Sequence, residues 1–599
     1  MLDPNQRSLL TSLLTPPPGM TFDTGVATTY TLDPLTLLGV PLHLAWLAAE
    51  GDRSVFADTI RLLESLQRVS SQLTVFADRG RMHVPAQPNA LYALLERTIV
   101  EVKAPLGGAF HPKLWALRFV RDGSEDVVLR LAIMSRNLTS DRAWDLSLVL
   151  EGQPRGAIVA ANRSLGEFIA NLPAWAVGEV SARRRAQVDL IASDIRRTKW
   201  GLPGKWEEVK FHVIGIKAGN WRPIDSDELI VISPFLKLEA LSQLQKTTKK
   251  AMAIVSRPDT FASLPAEVRG SFERCMVLDE AAETDDGEDL TNRGAVGLHA
   301  KAILLRKSWM THLYVGSANA TNAAMVAGTN VEVIAELVGR HSQVGRVEDL
   351  LAQSDLGSIL TAFDSLVAAD VSEAAQAQAK AEAALELCQQ RIAQSACWVV
   401  CERTGDGDWR LVLRVGGPVE FADVGVVAWP VSLEAHRKVD AKGLTAGMPV
   451  TLGVLDAADV TGLIGFELSC DGYERRFALN LKVQGLPEDR DAAILRRIVR
   501  NREGFLRYLR LLLGGLVPTP TRPDGGNLVL GASWQTSAGD FDSILEGMVR
   551  AWSREPERLE SVKRVVDRLR GFEGDDGQVI PAEFDGLWAV FAQALGAVK

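Results

Sequence analysis

Cysteine is scarce: five residues in a chain of 599, an odd number. Cys275, Cys388, Cys397, Cys401 and Cys470 lack the paired C-x-x-C spacing of a zinc site, so neither structural zinc nor a disulfide framework organises the fold, and the thiols are read as reduced. Long apolar runs are also missing. The best, LTLLGVPLHLAWLA, is shorter than the roughly 18 residues needed to span a bilayer and contains Pro and His. It suits a buried helix, and stable membrane insertion is excluded. The start, MLDPNQRSLLTSLLTPPPGM, has no basic n-region, and its short apolar run is broken by Asp and Pro, unlike a signal peptide. A cytoplasmic protein is expected. An excess of basic charge is absent too: 66 Lys and Arg face 75 Asp and Glu, a net charge of −9. That excludes a general nucleic-acid coat protein while leaving room for a local basic groove.

What is present is ordinary globular composition, 47% hydrophobic and 24% charged. Single cores stop growing at roughly 250–300 residues, so this length predicts two or three domains. From residue 1 to 215 apolar strands (LTVFAD, FHPKLWALRFV, VVLRLAIMS, DLSLVLEG) alternate with amphipathic helices such as SVFADTIRLLESLQRV. A second α/β unit, 216–370, repeats the order: ELIVISPFL as a strand, LEALSQLQKTTKKA as a helix, then AMAIVS, GLHAKAILLR, THLYVGSA and VEVIAELVG. Residues 371–396, rich in Ala, Glu and Gln, read as a connecting helix. Short strands between turns over 397–485 predict a small β-sandwich or barrel, and 486–599 is a mainly helical C-terminal region with a loop at PTPTRPDGGN.

The repetition reaches individual residues. Phe110-His111-Pro112-Lys113 is followed by Leu117-Arg118 and then by Ser135-Arg136-Asn137-Leu138-Thr139. Leu298-His299-Ala300-Lys301 is followed by Leu305-Arg306 and then by Ser317-Ala318-Asn319-Ala320-Thr321. Both copies read H-x-K-x-x-x-L-R, one further strand, then S-x-N-x-T, the mark of a duplication. A His and a Lys two apart on a strand project from one face, about 6–7 Å apart, and can share a ligand. Phosphate suits them: ammonium holds a non-bridging oxygen, imidazole reaches the phosphorus or the leaving oxygen, and Ser and Asn supply neutral donors. Cleavage through a covalent intermediate needs a nucleophile and a proton donor on opposite sides of the phosphorus, hence two such sets. Packed about a pseudo-two-fold axis, the two units supply both. No metal and no cofactor is required.

These motifs resemble those of the phospholipase D superfamily, known by paired H-x-K motifs each followed by G-S-x-N and a downstream acidic residue. The second copy matches with His299, Lys301, Gly316-Ser317-Ala318-Asn319 and Glu332. The first matches at His111, Lys113, Ser135 and Asn137, with Met134 in place of Gly and Asp145 as the nearest acid. Arg118 and Arg306 stand where the family has Asp. The resemblance covers about residues 20–365. It implies a duplicated, pseudo-two-fold α/β sandwich, followed here by the β-sandwich and the helical region. It further implies that Glu332 and Asp145 each accept a hydrogen bond from an active-site imidazole, that His111 attacks to form a phosphohistidine, and that His299 is the general acid and base, roles that pseudo-symmetry makes exchangeable.

Function is read as a nuclease, a metal-independent phosphodiesterase of a bacterial antiviral defence or restriction system, with nucleic acid as substrate and a helicase or other defence protein as partner. Two other classes fit the same residues: a soluble phospholipase or phosphatidyltransferase, and an inactive phosphate-binding scaffold subunit. The remaining histidines (His43, His83, His212, His312, His341, His436) have no companion motif and are assigned nothing. The runs around Arg183–Arg185 and Lys246–Lys250 read as solvated faces, and the apolar face of RRIVRNREGFLRYLRLLL as packed on its own domain.

Overall fold

A computed structural model describes residues 10–45, 59–121, 123–140, 143–279, 297–352, 356–364, 373–405, 407–421, 423–513, 540–554 and 556–597. The PTPTRPDGGN stretch, read above as a loop, lies outside them. Two large sheets carry the first 364 residues. The first contains β1 (Thr21–Thr29), β2 (Leu73–Asp78), β3 (Ile99–Val102), β4 (Leu114–Val120), β5 (Val127–Met134), β6 (Ser147–Pro154) and β7 (Thr198–Gly201), in the order β3-β2-β1-β4-β5-β6-β7. The second contains β8 (Glu208–Ile214), β9 (Ser226–Ile232), β10 (Thr248–Val255), β11 (Arg274–Leu278), β12 (Ala302–Lys307), β13 (Met310–Gly316), β14 (Glu332–Arg340) and β15 (Leu360–Ala362), in the order β15-β11-β10-β9-β12-β13-β14-β8.

Strand senses repeat as well as order. In each sheet a parallel trio (β3-β2-β1, β11-β10-β9) joins an antiparallel run (β4-β5-β6, β12-β13-β14). The alternation of side chains explains why the central strands are apolar throughout. On β4, Leu114 and Ala116 enter the core between the sheets while Trp115, Leu117 and Phe119 enter the outer core under helices. On β12, Ala302 and Leu304 face inward and Ile303 and Leu305 outward. Both faces are covered, so both must be apolar.

Three sequence expectations need correcting. The edge strand β8 lies before residue 215, the limit set for the first unit, yet pairs with β14 of the second sheet, so the changeover falls between Gly201 and Glu208. Its mixture of exposed, half-buried and buried residues fits either sheet, and only its partner decides. Thr248–Lys250, read as the end of a helix, opens β10 instead; β-branched Thr and pairing with Ser226 and Glu228 override the helical charge pattern. The helical region 486–599 does not have a core of its own. Phe505, Leu509, Ile544 and Val562 share one apolar cluster with Leu37, Leu63 and Leu66 of the first unit, and this uses the apolar face of Arg502–Leu512.

The connecting helix is Glu373–Gln394. It leads into two four-stranded sheets that enclose their own core around Val399, Leu411, Ile464 and Phe477. No described helix is long and apolar enough to cross a membrane.

Candidate active site

The two His-x-Lys segments do not lie on strands as expected. β4 begins at Leu114 and β12 at Ala302, one residue after each lysine. Each segment is extended but pairs across the sheet interface: Phe110 bridges Val331, and Leu298 bridges Trp144, both parallel. His111 N donates to Val331 O (3.0 Å) and Val331 N to Ala109 O (2.9 Å); His299 N donates to Trp144 O and Trp144 N to Gly297 O, both at 2.9 Å. Backbone amides taken up by the other unit cannot continue their own sheet's ladder, which is why the strands start late. Close approach has a steric condition. A Cβ at Gly108 would lie 2.4 Å from Thr329 O, so only glycine lets this loop reach the second unit.

The side chains are exchanged in the same reciprocal way. His111 Nδ1 lies 2.9 Å from Glu332 Oε2, and His299 Nδ1 lies 2.8 Å from Asp145 Oδ1. Each histidine therefore takes its carboxylate from the opposite copy. An Nδ1–H that donates to a carboxylate leaves Nε2 as the free, basic nitrogen.

The two serines act on the carboxylates and not, as expected, on a phosphate. Ser135 Oγ donates to Asp145 Oδ1 (2.8 Å) and Ser317 Oγ to Glu332 Oε2 (2.5 Å). Each hydroxyl also accepts a backbone amide, from Leu146 (2.8 Å) and Val333 (3.1 Å), and both residues are fully buried. A hydroxyl with its proton and a lone pair so engaged, and no access to solvent, serves to fix the acid. Gly316 and Met134 precede these serines. A Cβ at Gly316 would lie 2.1 Å from Val333 O, whereas Met134 is half-buried and pairs with Ser147, so the two sheets make different demands at one motif position.

Lys113 and Lys301 are each 1% exposed, and their ammonium groups donate back to His111 O (2.9 Å) and His299 O (2.6 Å). Burial pushes Lys113 down to about 7 against the pull of Glu332, Asp145 and Asp78. Lys301 is pushed well below the lysine range by burial and by the positive charge of Lys113. The same burial lowers His111 to about 4, opposed by Glu332, and lowers His299, opposed by Asp145. Burial by itself raises the two carboxylates, but their hydrogen bonds and the charges of the site win and both lie below their usual range. Lys301 senses Lys113, and both lysines sense both acids, which brings the ionisable groups of both copies into one electrostatic unit. Asn137 Oδ1 accepts Thr31 N at 3.4 Å, and Asn319 Oδ1 is buried with no hydrogen-bond partner among the described residues.

Arg118 and Arg306 find their ion-pair partners outside this cluster. Arg118 pairs with Asp23 and Asp194, and Arg306 with Asp227 and Glu228. Asp23 and Asp227 stand at corresponding places on β1 and β9, so each arginine keeps an acidic partner one strand away.

Sequence reasoning missed Tyr30, Asp78, Arg81 and Arg257. The Tyr30 ring centroid lies 4.9 Å from that of His111, Asp78 accepts Phe110 N at 3.0 Å, Arg81 lies over the Tyr30 ring, and Arg257 Nε donates to Leu298 O at 2.8 Å. All follow or end β1, β2 or β10. The C-terminal ends of parallel strands are where α/β sheets place ligands, and that rule was the available signal. His212 and His312 both contact Glu336 on the outer face of the second sheet, apart from this cluster. No three His, Cys, Asp or Glu residues among those described are grouped to hold a metal.

No protein-family model matches the chain, and no curated protein does. Among solved structures, a mutant of yeast tyrosyl-DNA phosphodiesterase is similar at 12% identity and a TM-score of 0.31, over 53% of this chain and 82% of that one. Phosphatidylserine synthase of Haemophilus influenzae Rd KW20 is similar at 11% identity and 0.31, over 64% and 91%. Polyphosphate kinase from Porphyromonas gingivalis is similar at 10% identity and 0.27, over 55% and 44%.

Proposed function

We propose that the chain is a phosphodiesterase of the phospholipase D type, a duplicated α/β sandwich whose two half-motifs make one active site and act through a phosphohistidine. The observation that carries this reading is the exchange of partners, His111 with Glu332 and His299 with Asp145. Two independent sites have no need of it; one shared site does.

In this reading Lys113 and Lys301 hold the non-bridging oxygens of the diester, with Asn137 and Asn319 as neutral donors. His111 Nε2 attacks phosphorus, the N–P bond forms, and the bond to the leaving oxygen breaks as His299 gives that oxygen its proton. His299 then takes a proton from water, the hydroxide attacks phosphorus, and His111 departs. Burial supports His111 as the nucleophile, because it is held neutral to about pH 4. His299 has the more exposed side chain, 19% against 12%, and so the readier exchange of protons with solvent. Its proton is favoured when the anionic diester is bound.

The substrate class we assign is nucleic acid, and the setting a cytoplasmic bacterial defence or restriction system with a helicase or other motor as partner. Support comes from phosphodiester chemistry that needs no metal and from a large C-terminal region, beyond the two α/β units, that offers surface to a partner or a polynucleotide. The test is cleavage of single- and double-stranded DNA and RNA in EDTA by the parent chain, His111→Ala and His299→Ala. Histidine-dependent cleavage of any of these supports the reading. Release of phosphatidic acid from liposomes with no cleavage of nucleic acid overturns the substrate assignment, and a parent chain that forms no acid-labile phosphoenzyme on any diester overturns the enzyme.

A further inference from the structure

The two histidines share a motif but not their surroundings. Thr29 and Ser233 hold the same place in the two units, each hydroxyl accepting the amide that follows the motif asparagine, Leu138 N or Ala320 N, at 3.0 Å. The next residue is Tyr30 in the first unit and Pro234 in the second. An aromatic ring thus lies against His111, 4.9 Å between centroids and tilted by 59°. Two cations lie over the Tyr30 ring, Arg81 with its guanidinium carbon 5.2 Å from the centroid and Lys113 with its ammonium at 5.7 Å. In the second unit the matching cation-over-ring pair is Arg257 over Phe235, 5.2 Å to the centroid, and among the described residues no ring contact to His299 is found.

Arg81 is itself held from outside the α/β units. Glu386 of the connecting helix takes both of its terminal nitrogens, one at 3.1 Å, and Arg475 of the β-sandwich shares that carboxylate. The neighbouring backbone is tied down too. Gln389 Nε2 donates to Gly80 O (2.5 Å), Arg79 Nε to Ala393 O (2.6 Å) and Ala478 N to Met82 O (2.8 Å). Gly80, at φ +83°, sits so close to the helix that a Cβ would lie 2.7 Å from that of Ala393.

We propose that Tyr30 is a positioning residue for His111, and that the connecting helix fixes it through Glu386 and Arg81, which makes the connecting helix and the β-sandwich behind it a working part of the active site. This rests on the reading of His111 as a participant in phosphoryl transfer. The ring closes one side of the imidazole to water and limits its rotation, and the cation over the ring, anchored by a carboxylate, keeps the ring in place. The groups that face His111 are Glu332 and Lys301 from the second unit, Lys113 from its own segment and Tyr30, with Asp78 and Arg81 beyond. Opening the Tyr30 side lets water in, and the acid limb of the pH–rate profile moves toward the ordinary histidine range of about 6.5.

The test uses the full chain with bis(p-nitrophenyl) phosphate and His111→Asn as control. Tyr30→Leu is expected to lower kcat about tenfold or more with little change in KM, and to raise the acid limb by about one pH unit. Tyr30→Phe, which keeps the ring, restores both. Glu386→Gln is expected to move kcat and the acid limb in the same direction by less; this site is partly exposed, so the variant carries the test if Tyr30→Leu does not fold. If Glu386→Gln and every folded Tyr30 variant match the parent in kcat and pH profile while His111→Asn is inactive, the inference is overturned and the active site stands. If His111→Asn turns over like the parent, the active site itself is wrong.

Discussion

Glu332→Gln isolates the electrostatic half of the proposed mechanism. The glutamate is fully buried; one oxygen faces His111 Nδ1 and Ser317 Oγ, and the other is 3.3 Å from Asn330 Nδ2. A glutamine of the same shape can still accept both bonds at the first oxygen through its carbonyl, so what is lost is the charge and the long 3.3 Å bond from Asn330 Nδ2, which then faces an NH2 group. Once His111 carries a phosphoryl group its ring is cationic, with the carboxylate about 4 Å from the centre of that charge. At an effective dielectric near 20 the attraction is about 4 kcal/mol, or about a thousandfold in the phosphorylation rate. Stability falls as well, because Lys113 loses its largest attractive partner and the two buried lysines are left with Asp145, and Lys113 also with Asp78; breaking such a set costs about 3–5 kcal/mol. Single-turnover release of p-nitrophenolate from the diester, with a thermal melt on the same sample, reads both effects. A folded Glu332→Gln chain that reacts within about fivefold of the parent refutes the electrostatic argument.

The pH–rate profile for kcat/KM is expected to be bell-shaped with its optimum on the acid side of neutrality. It rises as His111 loses its proton near pH 4 and falls as the general acid His299, lowered by burial from the ordinary histidine range, and then Lys113, near 7, lose theirs; an optimum above pH 8 contradicts this. Acidification between about 6.5 and 4 should destabilise the fold through His111, whose folded value is depressed, so the unfolded chain binds the proton first; urea titrations at pH 7 and pH 5 measure it. Ser317→Ala frees Glu332 and leaves Val333 N without its acceptor, and is expected to cut kcat about tenfold with KM unchanged; a selective rise in KM instead restores the serine as a phosphate ligand. Gly316→Ala forces β13 from β14 and should cost about 3 kcal/mol or more in a thermal melt, while Met134→Ala should cost less because its side chain is only half-buried.

The duplication was legible because its signal is doubled. A lone H-x-K says little, but H-x-K-x-x-x-L-R followed by S-x-N-x-T twice, in the same order as the surrounding strands, specifies which segments correspond. The strands themselves were legible from short β-branched and apolar runs, as in LTVFAD, buried on both faces, and CWVVCER and WRLVLRV, buried mainly on one, each of which coincides with an observed strand. What the sequence hides is pairing. The partner of β8, the bridge that draws Phe110 to Val331, and the capture of each histidine by the opposite copy's acid are long-range choices that local pattern does not encode. The serines were misread for a related reason. A hydroxyl beside a phosphate and one beside a carboxylate leave the same letter in the motif, and only burial tells them apart. Tyr30 and Arg81 lie outside any motif, and their nearness to His111 follows from strand ends that meet in space.

The double-mutant cycle of His111→Ala and His299→Ala on turnover of bis(p-nitrophenyl) phosphate tests most directly whether the two copies make one site. If they do, each single substitution removes nearly all activity, about 10³-fold or more, and the double variant is no worse than the poorer single. If each single variant keeps about half of the parent rate and only the double is dead, the copies work separately and the shared site does not exist.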